Sequence, residues 1–119
     1  MARDVALIVT WGGPVRGRET KSLEVFMESL GFWAKQAADG NCQEPEVYIA
    51  QDGSGGMLVL KGKSDVMLAI SESEEGQKVI AKAQAIVEDL RAHWYYAGDE
   101  EIQRNTALYA QVANELGLM

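Results

Sequence analysis

Few side chains in this sequence are equipped for chemistry: one histidine, His93, one cysteine, Cys42, and a short run of cations, Arg16, Arg18 and Lys21. An imidazole titrates close to neutrality, which makes His93 the candidate general base; the alternative is a structural or exposed histidine at the start of a strand. Cys42 stands in a polar segment with no histidine near it in sequence, and no Gly-x-Ser-x-Gly occurs, so nucleophilic catalysis has no support. One His and one Cys, with neither His-x-x-x-His nor Cys-x-x-Cys spacing, argue against a metal site. Gly53-Ser54-Gly55-Gly56 lacks the lysine and the following helix of a phosphate loop and reads as a hairpin turn. The spacing of Gly12-Gly13-Pro14 excludes a dinucleotide fingerprint. No cofactor is expected.

Charge narrows the partners. Lys and Arg total 11 against 18 Asp and Glu, a formal charge of −7. Binding to a phosphate backbone or an anionic lipid surface needs the opposite sign, so neither nucleic acid nor membrane is an expected partner. Against this acidic background the cations gather unevenly. Trp11 closes an apolar strand, Arg16, Arg18 and Lys21 follow it, and Arg91 and His93 open a strand expected to lie beside it. A helix N-terminus lies at the same end. Together these suggest a site for a small organic acid, its aromatic walls drawn from Trp11, Trp94, Tyr95 or Tyr96, with His93 within reach of Trp11. The alternative is that the arginines face water or pair with Glu19, Glu24 or Asp52.

At 119 residues, 47% of them hydrophobic, the chain fits a single domain covering residues 1–119. An unpaired cysteine fits a reducing cytoplasm. The apolar run over residues 5–9 is too short for a signal segment or a membrane span.

Periodicity supplies the elements that must carry these groups. Residues 5–11 are β-branched and aromatic, apolar on both faces, and so read as a central strand. Apolar residues at spacings of three and four from Leu23 to Ala37 predict a helix over 20–39, capped by Thr20 or Ser22 and stopped at Gly40. Gly31 inside it suggests a close helix–sheet contact. Residues 46–51 and 57–61 form a hairpin around the glycine turn. A short helix over 64–70 precedes a longer one reaching residue 90, which Ser71 and Glu74 would start as a capping box. Residues 92–97 form the last strand, and Asp99 caps a helix running to residue 116.

The order β-α-β-β-α-β-α, with a right-handed crossover, gives the α+β ferredoxin-like sandwich: a four-stranded antiparallel sheet, two helices on one face, and a C-terminal helix. Those two helices cover one face only. Both alternating sets of the first strand, Val5/Leu7/Val9/Trp11 and Ala6/Ile8, are apolar or small, and the third strand adds Leu58 and Leu60 on one side and Met57 and Val59 on the other. The face left over spans roughly 400 Å² from strand spacing and rise, and the C-terminal helix is wide enough for about half of it. A homodimer joined sheet to sheet is therefore expected, the last helix edging the joint or covering the partner.

The run Gly17-Arg18-Glu19-Thr20-Lys21-Ser22-Leu23-Glu24-Val25-Phe26, following Trp11-Gly12-Gly13-Pro14, resembles an uncharacterised bacterial branch of the dimeric α+β barrel superfamily. The resemblance implies a dimeric barrel. Other branches of that superfamily are cofactor-independent monooxygenases, muconolactone isomerases, haem-degrading enzymes and dye-decolorising peroxidases, and no motif places this chain in any one of them. Two functional readings follow. The first is a non-catalytic or regulatory dimer binding a small organic anion or a protein partner. The second is a monooxygenase- or isomerase-like enzyme acting on a small aromatic or lactone, with His93 and Arg18 as its polar groups and Trp11 or Tyr95 as its walls.

Overall fold

A strand that is apolar on both sides belongs in the middle of a sheet, and Val5–Val9 takes that place. The structure, a computed structural model, describes residues 2–119. Its elements are β1 (Asp4–Trp11), α1 (Glu19–Ala38), β2 (Glu46–Ile49), β3 (Gly56–Lys63), α2 (Ser64–Glu72), α3 (Glu74–Ile86), β4 (Arg91–Tyr96) and α4 (Asp99–Glu115). Every strand pair is antiparallel and the sheet order is β2-β3-β1-β4, the expected ferredoxin-like arrangement.

Register decides which side chains share a face. Directly opposed residues of an antiparallel pair point the same way. Leu7 lies opposite Leu60 and Trp94, and Val9 opposite Leu58 and Ala92. With Val5, Trp33, Met67 and Ile70 the apolar members of this face form the buried core, in which Leu60 and Met67 are fully enclosed. The opposite face carries Ala6, Ile8 and Thr10, flanked by Met57, Val59 and Lys61 from β3 and by Arg91, His93 and Tyr95 from β4.

Several boundaries differ from the sequence reading, each for a local reason. The apolar pattern of Met67 and Ile70 carries α2 on to Glu72. The cap of α3 is therefore Ser73 rather than Ser71, its hydroxyl oxygen accepting the Gly76 N–H at 3.0 Å. Gly76 is buried there, and a Cβ on it would run into the Ile70 carbonyl. Helix α3 stops at Ile86, because Val87 pairs with Pro14. The Gly12 N–H donates to Glu88 O at 2.7 Å, Val15 N–H to Ile86 O at 2.8 Å and Glu88 N–H to Gly13 O at 2.9 Å. The glycine loop after β1 is thus strapped to the end of α3. Among the described residues no side chain caps α1 or α4, whose caps are Arg18 and Gly98, in place of the expected Thr20, Ser22 and Asp99. Gly31 faces solvent with nothing near its missing side chain, so the expected close contact is absent. At the hairpin, by contrast, a Cβ on Gly56 would meet the Trp11 ring at 2.6 Å, and only glycine lets that indole lie across the sheet.

Helix α4 stands apart. Its root is fixed by Glu101, a buried carboxylate whose Oε1 lies 3.5 Å from Arg3 Nη1. Beyond the root Ala113 is buried, but the large apolar side chains are in the open: Tyr109 is 74% and Leu116 68% exposed. The radius of gyration, 16.8 Å, exceeds the about 13.5 Å expected for a compact chain of this length, and the longest dimension is 54 Å. A helix lying on the sheet would give neither result.

Candidate functional site

The side chains on the covered face leave a gap between the sheet and α1 and α3. This cavity holds about 340 Å³. Its floor comes from β1 and β3 through Val9, Trp11 and Leu58, and its walls from α1 and α3 through Phe26, Trp33, Ile80 and Ala83. Trp11 and Phe26 meet at a tilt with ring centres 5.9 Å apart. Leu23 and Ile49 line the cavity and are both more than 60% exposed, so they mark its mouth between α1 and the β2 edge. The far end is closed by the strap of residues 12–15 on 86–88. An ion pair between Lys82 and Glu28 at 2.7 Å ties α3 to α1.

The lining is apolar apart from Glu19, Ser22 and Ser29, all on α1. Among the described residues no cation lines it. Of the residues singled out in the sequence, Trp11 is in the wall and the others stand elsewhere. Arg16 is exposed in the loop. Arg18 donates from Nη1 to the Ala85 carbonyl at 2.6 Å, bracing the start of α1 against α3. Lys21 pairs with Glu24 at 3.1 Å on the surface. His93 and Tyr95 are on the opposite face of the sheet from Trp11, their rings 6.4 Å apart. The expected closeness of His93 to Trp11 is therefore not present. In β4 it is Ala92 and Trp94 that face the helices; His93 has the other parity and sits opposite Ile8.

In the sequence Glu19 was legible as a pairing partner for the arginines and Ser22 as a candidate helix cap, and Ser29 was not singled out. Their spacing of three and seven puts them on the flank of the apolar stripe, which was the available signal. Elsewhere, burial pushes the Cys42 thiol upward from its ordinary range, as expected for a cysteine packed against the core rather than poised for reaction.

No protein-family model matches the chain, and no curated protein matches it. Solved structures do share its fold. SnoaB, a cofactor-independent oxygenase from Streptomyces nogalater, superposes with a TM-score of 0.65 at 13% identity, over 82% of this chain and 96% of that one. A Bacteroides thetaiotaomicron protein of unknown function, described as a possible oxidoreductase, gives 0.65 at 12% identity over 80% and 98%. A hydroxynitrile lyase from Passiflora edulis gives 0.63 at 12% identity over 82% and 95%. What these structures share with the chain is the fold, an α+β sandwich with a four-stranded antiparallel sheet. Among the described residues, no helix is long and apolar enough to cross a membrane.

Proposed function

We propose that this protein is a homodimer, joined through the open sheet faces, that binds a small and mainly apolar organic molecule between its sheet and its helices. The observation that carries the reading is the cavity itself: about 340 Å³, walled by Trp11, Phe26 and Trp33, with polar groups on one side only. Pockets of this size and composition suit ring systems held by a few polar anchors. A neutral aromatic or lactone fits the lining directly. For an organic acid, Arg18 would have to leave the Ala85 carbonyl and turn inward, so weaker binding is expected for acids. The free thiol of Cys42 fits a reducing cytoplasm as the setting.

Thermal shift against matched neutral aromatics, lactones and aromatic carboxylates tests this. A ligand present at about 100 times its Kd adds about 2.7 kcal/mol of stability. The variant Ala83→Phe, which fills the cavity, should abolish the shift. A panel without stabilising compounds, or a shift that survives Ala83→Phe, would remove the cavity from the reading. Light scattering on the purified protein tests the dimer, and a monomer at micromolar concentration contradicts it.

Catalysis is the second reading, favoured by one feature. Glu19 is the one titratable side chain on the cavity wall among the described residues, placed to take a proton from a bound ligand. The fold is compatible with such a role, since SnoaB is an oxygenase without a cofactor. In this reading turnover falls at least a hundredfold in Glu19→Gln and is unchanged in His93→Ala. The reverse pattern would assign the chemistry to the open face.

A further inference from the structure

The neighbouring folds are matched almost to their full length by four fifths of this chain. Helix α4 and its tail occupy residues 99–119. This helix is fully formed. Gly117 takes a φ of +74°, the Leu118 N–H donates to Ala113 O at 2.8 Å and the Gly117 N–H to Asn114 O at 3.0 Å, a complete C-terminal stop. Yet its stripe of Ile102, Tyr109, Val112 and Leu116 meets water, at 50, 74, 43 and 68% exposure. An isolated helix of 17 residues is marginal in water, and stability comes from packing an apolar face. Beyond the root, the one buried side chain of α4 among the described residues is the small Ala113, and the large apolar ones stay exposed.

Area and continuity identify what does. The open sheet face offers about 400 Å², half of the about 800 Å² per partner in an ordinary stable interface. A helix about 25 Å long and 10 Å wide adds about 250 Å². The two surfaces meet at Tyr95, which belongs to the open face and also bounds a notch of about 380 Å³ with Tyr96, Ile102, Asn105, Thr106 and Tyr109. Sheet and helix thus form one continuous surface, its apolar part made by Ala6, Ile8, Met57, Val59 and Tyr95 and the helix stripe, with Thr10, Lys61, Arg91 and His93 among the sheet residues.

We propose that α4 is an arm exchanged between subunits: its apolar stripe packs on a second copy of this chain, whose sheet edge sits in the corner between β4 and α4. This rests on the dimer reading and adds the arm to it. The stripe residues lie outside the core, so Tyr109→Lys combined with Val112→Asp leaves the subunit's packing intact, and Leu116→Asp is an independent second variant. Sedimentation equilibrium on the full-length wild type and both variants gives the dissociation constants. A dimeric wild type with a tenfold or greater rise in Kd in both variants is the expected result. A dimeric wild type with smaller changes overturns the exchanged arm and leaves the sheet-to-sheet dimer standing. A monomeric wild type overturns both.

Discussion

Trp33, on the buried side of α1, packs edge-on against Phe32 at 5.4 Å and lies in the core with Leu7, Leu58 and Leu60. Its removal in Trp33→Ala should cost about 3–5 kcal/mol, read as a drop in urea midpoint without a change in slope. Asp52 makes a smaller, pH-dependent contribution. Its carboxylate accepts hydrogen bonds from Ser54, including the backbone N–H at 3.0 Å, which holds its carboxyl below the usual aspartate range. Since the folded-state value lies below the unfolded one, this stabilisation is complete above the ordinary range and disappears as pH falls through the folded value. The amide shift of Ser54, followed by NMR, should titrate below the range of a free aspartate; a midpoint at or above that range contradicts the assignment. Single residues were the least legible part of the sequence. His93 and Trp94 are adjacent but face opposite sides of the sheet, and which of them meets the helices depends on register. A slip of one residue exchanges the faces, and composition around residues 92–97 does not fix it.

Elements were read far better than single residues. All four strands and the three longer helices announce themselves through β-branched apolar runs and through apolar periods of three to four, even where, as in β4 and most of α4, the side chains are left exposed in the subunit. Their ends follow from contacts distant in sequence. The end of α3 depends on Val87 pairing with Pro14, and nothing near residue 87 announces that. Ser73 is worth testing at this scale: Ser73→Ala loses the acceptor for Gly76 N–H and should cost about 1 kcal/mol in thermal or chemical unfolding. At the root of α4, Arg3→Ala leaves the Glu101 carboxylate buried without its cation and should cost about 1–3 kcal/mol. If unfolding is unchanged, the root is not held by that pair.

For the whole molecule, strand order was legible because the element order with a right-handed crossover leaves one arrangement, and the apolar pattern on both faces of β1 put that strand in the middle. The cavity was not, since volume left between packed helices and sheet is a remainder of side-chain sizes that no pattern encodes. A dimer held by the open face and the arm has a stability tied to concentration. The thermal midpoint should rise measurably between 1 and 100 µM protein, on the order of 2.7 kcal/mol per hundredfold in the dimer term; a constant midpoint would indicate a self-sufficient subunit. The cavity also has an optical corollary. Two of the chain's 3 tryptophans, Trp11 and Trp33, form its wall, while Trp94 does not line it. An incoming guest lies against two indoles at once, so a change in intrinsic emission reports occupancy and the molecule is its own unlabelled sensor.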